Sequence, residues 1–95
     1  MDCQSSRIFD MGMTYDHKHD QKRLISLGKR IKAIRNAKAL TQEKLAELTE
    51  YDPTYLSMLE RGKRNPPFLT LCRLAEEMGV TVEEFFKGLD KADRK

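Results

Sequence analysis

One short helix with sharply defined ends constrains the fold of this 95-residue chain more than any other feature. Asp52-Pro53 opens it, because an Asp side chain can accept an orphan backbone N–H and Pro suits the first helical position. Gly62 closes it, because glycine adopts the left-handed conformation freely. Another helix precedes it within LTQEKLAELTEYDPTYLSMLERG (40–62). The sequence therefore predicts two short helices joined by a tight turn, the second of which can enter a groove end-first.

Length and cysteine content limit the chain to one small domain. About 70 residues look foldable, which is near the lower limit for a self-sufficient core. Cys3 and Cys72 are too few and too far apart for a disulfide framework or a zinc module, which favours a reducing, cytoplasmic setting. Cys72 falls in an apolar helical pattern and is expected in the core. No apolar run approaches the roughly 20 residues of a membrane span, and MDCQSSRIFD (1–10) does not resemble a signal peptide.

Positive charge is concentrated in two segments. Residues 22–38 carry seven basic groups and no acid, whereas residues 39–60 carry one Lys against five acids. Residues 61–75 add four basic groups. A solvated helix face is the ordinary interpretation of such a pattern, but two basic segments flanking the paired helices favour contact with phosphate groups.

Apolar residues recur at helical intervals from Lys22 onward. Leu24, Leu27, Ile31 and Ile34 predict a first helix over about 22–38. The second helix is capped by Thr41, the third runs over about 53–61, the fourth over about 68–78, and a Thr81/Glu84 capping box opens a fifth that ends near Gly88. The inward-facing residues of the later helices are expected to be Leu45, Ala46, Leu48, Leu56, Leu59, Leu71, Leu74, Ala75, Met78 and Phe85.

The ends of the chain lack this periodicity. Residues 1–21 are interpreted as a flexible N-terminal arm, residues 22–89 as the folded domain, and residues 90–95 as a charged C-terminal tail. The cluster DHKHD (16–20) could hold a divalent metal, but acid–histidine clusters in tails are more often solvated, so no metal or cofactor is predicted. Both histidines lie there, and no constellation of catalytic groups falls on the domain. An enzyme is therefore not expected.

Five segments in register resemble the Cro/cI-type, xenobiotic-response-element family of helix-turn-helix regulators. These segments are LGKRIKAIR (27–35), LTQEKLA (40–46), LSMLERGKRNP (56–66), TLCRLAEEMGV (70–80) and EEFF (83–86). The resemblance implies an all-α, five-helix, lambda-repressor-like DNA-binding domain that binds operator DNA as a homodimer. DPTYLS (52–57) further resembles the recognition helix of restriction–modification controller proteins.

The sequence departs from the family at three positions. Ala39 and Glu50 stand where many members have Gly, and a left-handed backbone at Glu50 would cost about 1 kcal/mol. Pro67 stands where a Ser or Thr often caps the fourth helix, and it has no side-chain acceptor for that purpose. These departures affect loop geometry and remove no DNA-contacting group.

Side chains that read bases must project from the first turns of the third helix. The predicted base contacts are Pro53, Thr54, Tyr55, Ser57 and Met58. No Arg, Asn or Gln is among them, so hydrogen-bond readout is expected to be modest, and DNA shape should carry more of the specificity. Two alternatives stay open: Met58 as a surface residue without a base contact, and Tyr55 as packing against the preceding helix.

Predicted phosphate contacts lie on either side of that helix. Gln42 begins the helix that crosses the DNA backbone, and Arg61, Lys63, Arg64 and Asn65 follow the recognition helix. Lys29, Arg30 and Lys32 of the first helix could reach the backbone or point to water.

The resemblance also implies a partly buried ion pair between Arg35 and Glu60 that joins the first and third helices. The dimer surface is expected on the fifth helix and its approach, at Val82, Phe86 and Leu89, with packing of Phe86 inside the monomer as the alternative. Two third helices in such a dimer would lie about 34–36 Å apart, one turn of DNA.

Three functions fit these observations. The first is a dimeric transcription regulator, most simply a repressor that blocks polymerase at a promoter. The second is a restriction–modification controller or the antitoxin partner of a toxin. The third is a protein-interaction adaptor that uses the same fold and binds DNA weakly without regard to sequence. A toxin or RNA polymerase could be a protein partner, and no membrane partner is expected.

Overall fold

The computed structural model describes residues 17–89 and contains five α-helices over that range. They are α1 (His17–Ala37), α2 (Gln42–Thr49), α3 (Pro53–Glu60), α4 (Phe68–Met78) and α5 (Glu83–Phe86). No strand occurs between residues 17 and 89, which confirms the all-α prediction. Most of the predicted arm and the whole charged tail lie outside the described residues.

Helix α1 begins at His17, earlier than the predicted start at Lys22. Two side-chain contacts support the added turn. Arg23 pairs with Asp20 at 3.2 Å, and the Gln21 amide donates to the carbonyl of Gly62 at 3.1 Å. The apolar period of the sequence could not show this extension, because these contacts are polar and one of them is distant in sequence.

The helix ends follow local chemistry. Thr41 Oγ1 accepts from the backbone N–H of Lys44 at 3.0 Å, and Asp52 Oδ1 accepts from that of Thr54 at 2.7 Å. Pro67 precedes α4 without a side-chain cap, as expected. The predicted Thr81/Glu84 capping box is wrong, because the N–H of Glu84 donates to the Thr81 backbone carbonyl and Val82 occupies the cap position.

The α2–α3 turn requires a left-handed residue, and Glu50 supplies it with φ 65°. Ala39, in the turn between α1 and α2, has φ 60°. Both are places where the sequence departs from the glycine that is common in the family. The left-handed backbone considered for Glu50 is therefore present, and Ala39 shares it without having been predicted to; in this conformation a Cβ crowds the following carbonyl.

Twelve apolar side chains form one core between the helices. Helix α1 packs on α3 and α5, while α2 packs on α3 and α4. The core consists of Leu27, Ile31, Ile34, Leu45, Ala46, Leu56, Leu59, Leu71, Leu74, Ala75, Met78 and Phe85. Most of the expected inward residues are among them, which confirms the helical periodicity read from the sequence.

Two side chains expected inside lie elsewhere. Leu48 is 39% exposed, and Thr49 takes the inward position on α2, where its hydroxyl donates to the Leu45 carbonyl at 2.8 Å. This hydrogen bond lets a polar residue occupy the core, which an apolar period cannot reveal. Cys72 is only half-buried, at the border of the apolar face of α4.

Candidate nucleic-acid interface

The first turn of α3 faces outward, and a proline and a side-chain cap fix its start. Pro53 occupies the first helical position after the Asp52 cap, and both Pro53 and Thr54 are exposed. Ser57 and Met58 are half-buried one turn later, whereas Leu56 and Leu59 point into the core. The structure thus places Pro53, Thr54, Ser57 and Met58 on one side of α3, whereas Tyr55 packs against the core.

Tyr55 has a neighbour that the sequence analysis did not single out. Its ring lies edge-on to the ring of Tyr51, with centroids 5.8 Å apart and an interplanar angle of 68°. Both rings are half-buried against the core. Tyr51 precedes the Asp52 cap of α3, so helical spacing gave no signal for this contact.

A buried ion pair contacts α3 on the side that faces the protein interior. The Arg35 Nε–Glu60 Oε2 distance is 2.6 Å and the Nη2–Oε1 distance is 3.0 Å, so the contact is bidentate. Arg35 also donates to the Leu40 carbonyl at 2.7 Å. The pair therefore links α1, the turn before α2, and the end of α3, as the family resemblance implied.

Gln42 joins this network. Its Nε2 donates to Glu60 Oε1 at 2.9 Å, so one amide hydrogen is used inside the protein. Its predicted phosphate contact must use the second amide hydrogen or the backbone N–H groups that begin α2. The sequence could not distinguish these donors.

The basic segment after α3 is held close to that helix. The N–H of Lys63 donates to the Met58 carbonyl at 2.8 Å, and Gly62 lies against Ile25 of α1. The side chains of Lys63, Arg64 and Asn65 are exposed, as is that of Arg61, whose Nε lies 3.4 Å from the Ser57 carbonyl. Neither Lys63 nor Arg64 takes part in an ion pair within residues 17–89.

The basic groups of α1 divide into different environments. Arg30 Nε donates to the Glu84 carbonyl at 2.7 Å, and Nη2 lies 3.3 Å from Glu84 Oε1. Arg30 therefore links α1 to α5. This contact explains the position of its side chain without a contact to DNA. Lys29 and Lys32 are exposed.

The predicted dimer residues differ in exposure. Phe86 is 44% exposed, whereas Val82 and Leu89 are half-buried and pack on the core of their own chain. Phe68 and Leu69, at the start of α4, are 65% and 74% exposed, and the sequence analysis did not single them out as surface residues. Leu69 lies on the side of α4 opposite its core residues, so its exposure could have been predicted. Phe68 stands three residues before Leu71 and seven before Ala75, a spacing that predicts an inward side chain instead.

No helix between residues 17 and 89 combines the length and apolarity needed to cross a bilayer. The same part of the chain contains no cluster of three potential metal-ligating side chains, while the tail cluster at 16–20 lies partly outside the side chains described.

The capped, outward-facing α3, joined to α2 by a tight turn and followed by exposed cations, defines a DNA-binding helix-turn-helix protein. Residues 31–85 match the helix-turn-helix family HTH_3, which is more than half of the chain. The chain belongs to this family of transcriptional regulators, and its resemblance to Cro/cI-type regulators and restriction–modification controllers is confirmed.

Two relatives and one solved structure match over most of their own length. The HTH-type transcriptional regulator y4dJ of Sinorhizobium fredii (strain NBRC 101917 / NGR234) is 38% identical over 72 residues, which cover 76% of this chain and 91% of that protein. Control protein C.MunI of a Mycoplasma species is 35% identical over 68 residues, which cover 70% and 92%. The restriction-modification controller C.Esp1396I, solved as a tetramer with its natural 35-base-pair operator, matches with a TM-score of 0.65 and 36% identity, covering 77% and 96%.

Proposed function

We propose that this chain is a homodimeric repressor that binds a palindromic operator by placing the first turn of α3 in the major groove. The observation that carries the proposal is the outward presentation of Pro53 and Thr54 on a helix whose opposite side is anchored by a buried ion pair. A rigid, exposed helix start is what groove binding by this motif requires. Because its target is DNA, the protein would act in the cytoplasm.

Base readout would fall to a small set of side chains. Thr54 offers a hydroxyl and a methyl group, which suit a base edge and a thymine methyl respectively. Tyr55 offers a hydroxyl for a phosphate and a ring for sugar or thymine packing. Pro53, Ser57 and Met58 would add apolar and weak polar contacts. None of these five side chains can form a bidentate hydrogen bond with a purine base. Deformability of the operator would therefore carry much of the specificity.

Phosphate contacts would fix the orientation of α3. Lys63 and Arg64 are exposed directly after α3, and Arg61 and Asn65 stand beside them. Gln42 and the start of α2 would contact the backbone on the other side. Two anchors on opposite sides of α3 would hold its axis in the groove.

Dimerisation would use α5 and its approach. Phe86 is the exposed apolar residue of this element, and Val82 and Leu89 border it along the chain. A two-fold axis through this surface would set two α3 helices about one DNA turn apart.

The test is selection of binding sites from a random duplex pool, followed by gel-shift titration at two salt concentrations. We expect a palindromic consensus, and affinity for it about 1,000-fold or more above that for a scrambled duplex. Thr54→Val should weaken binding to the consensus about fivefold or more while leaving the scrambled duplex unaffected. Asn36→Ala, at an exposed position on α1 outside the predicted DNA and dimer surfaces, is the control. Weak binding that ignores sequence would favour the adaptor.

A restriction–modification controller is the second candidate. It is supported by the similarity to C.MunI and C.Esp1396I and by the DPTYLS segment at the start of α3. We expect two dimers to bind cooperatively to a duplex of about 35 base pairs that carries two adjacent selected sites, which native mass spectrometry would measure. Neighbouring genes for an endonuclease and a methyltransferase would support this candidate, whereas a neighbouring toxin gene would favour an antitoxin.

A further inference from the structure

Tyr51 and Tyr55 form an aromatic pair at the junction between the turn and α3. The ring centroids lie 5.8 Å apart with an interplanar angle of 68°. This edge-to-face geometry is one that aromatic quadrupoles favour, so the contact has a preferred orientation as well as buried area. Each ring is half-buried, and each packs on the edge of the core.

The backbone of Tyr51 is fixed independently of its ring. Its N–H donates to the Ala46 carbonyl at 3.1 Å and lies 3.4 Å from Thr49 Oγ1. The next residue, Asp52, caps α3. Tyr51 thus holds the position before the cap, from which an apolar side chain can pack on the first turn and fix the direction of the chain.

Tyr55 contacts the ring of Tyr51 and belongs to the predicted DNA surface. A tyrosine side chain has several staggered χ1 positions, and they aim the hydroxyl in different directions. Contact with Tyr51 stabilises one of them before DNA arrives. A side chain ordered in advance loses less conformational entropy on binding and discriminates more sharply between bases.

We infer that Tyr51 is a positioning residue for base recognition, which selects the rotamer of Tyr55 and thereby the base preference opposite that ring. The inference rests on the proposed function and adds a residue outside α3 to its specificity determinants. Tyr51 acts through Tyr55, so its effect requires the second ring.

A double-mutant cycle tests this dependence. Tyr51→Leu, Tyr51→Phe, Tyr55→Leu and the double Leu variant are titrated with the selected operator, with operators altered at single base pairs, and with a scrambled duplex. Tyr51→Leu should weaken operator binding about fivefold and flatten base preference at the same positions as Tyr55→Leu. Tyr51→Phe keeps the ring and should match the wild type. The double variant should bind like Tyr55→Leu.

Melting temperatures of all variants separate positioning from folding. Additive losses of Tyr51→Leu and Tyr55→Leu, or equal losses on operator and scrambled DNA, would overturn the inference and leave the proposed function standing. Base preferences altered at different positions would do the same. A wild-type chain that selects no sequence would overturn the proposed function itself, and the inference with it.

Discussion

Arg35 and Glu60 place opposite charges in the interior, with side chains only 8% and 3% exposed. A charge removed from water at this depth is costly unless it is paired and hydrogen-bonded. The bidentate contact, the Leu40 carbonyl and the Gln42 amide together satisfy much of this requirement. Removing one partner therefore costs more than the pair contributes, because the remaining charge stays buried.

Glu60→Ala is expected to lower the free energy of unfolding by about 3–5 kcal/mol, because it leaves the Arg35 guanidinium without its carboxylate. Urea unfolding followed by far-ultraviolet circular dichroism measures the loss. Glu47→Ala is the matched control, since Glu47 pairs with Lys44 at 3.5 Å but both side chains are more than half exposed. Its effect should stay below about 1 kcal/mol. Equal stability of the Glu60 variant and the wild type would contradict the assigned role.

At the scale of elements, the crossing of α1 and α3 positions the recognition helix. Gly28 lies at this crossing, where an added Cβ would stand 2.5 Å from the backbone carbonyl oxygens of both Leu59 and Glu60. Backbone atoms cannot move aside as the end of a flexible side chain can. The absence of a side chain at Gly28 is therefore what lets α1 approach the end of α3 and lets Arg35 reach Glu60.

Gly28→Ala separates packing from helix propensity by the sign of its effect. Propensity alone predicts a gain of about 1 kcal/mol, because Ala replaces Gly inside a helix. The clash predicts a loss of about 1–3 kcal/mol, as overpacked cores show. We expect the loss, measured as a lower melting temperature and a lower urea midpoint. Asn36→Ala, at an exposed site on α1, is the control and should be neutral or slightly stabilising. A stabilised Gly28 variant would contradict the clash, because it would show that α1 and α3 can move apart to accept the added methyl group.

Rules that use only neighbouring residues predicted the ends of the helices and their inward faces well. Asp52, Pro53 and Gly62 define the ends of α3 through neighbours in sequence, so a single chain contains enough information. The inward apolar residues followed from periodicity for the same reason. The capping box at Thr81 failed because a tight backbone turn offered Glu84 a different acceptor.

Contacts between distant segments were harder to predict. The inward position of Thr49 depends on how α2 is rotated against α4, and the bond from Arg30 to the Glu84 carbonyl joins residues 54 apart. The earlier start of α1 is accompanied by the long-range Gln21–Gly62 hydrogen bond. The Arg35–Glu60 pair was foreseen through resemblance to a family rather than through the residues alone. Polar contacts between distant segments produce no periodic pattern in a sequence, so periodicity cannot predict them.

For the whole molecule, the proposed dimer determines how two α3 helices are spaced. Phe86→Asp places a charge at the exposed apolar position of α5 and should convert a particle of about twice the chain mass into a monomer of 11.1 kDa. Sedimentation equilibrium measures this change, and the far-ultraviolet spectrum should stay helical because Phe86 lies outside the core. Operator affinity should fall about 100-fold or more as the two half-sites lose their linkage.

Leu48→Asp provides the control for the dimer experiment. Leu48 is 39% exposed, close to the 44% of Phe86, but it lies on α2. The Leu48 variant should keep the mass of the wild type. A Phe86 variant that also keeps that mass would move the dimer surface elsewhere, and the exposed Phe68 and Leu69 would be the next positions to change.

The distribution of charge over the whole molecule predicts how salt affects binding. Each phosphate that a cation neutralises releases a counterion, and this release contributes about −0.9 to the slope of log affinity against log salt. Arg64→Ala should therefore weaken binding to operator and scrambled duplex alike and reduce the slope by about 1. Arg73→Ala removes an equal charge at an exposed position on α4, outside the predicted DNA and dimer surfaces, and should leave the slope unchanged. If both variants lowered the slope equally, net charge rather than a localised phosphate contact would govern DNA binding.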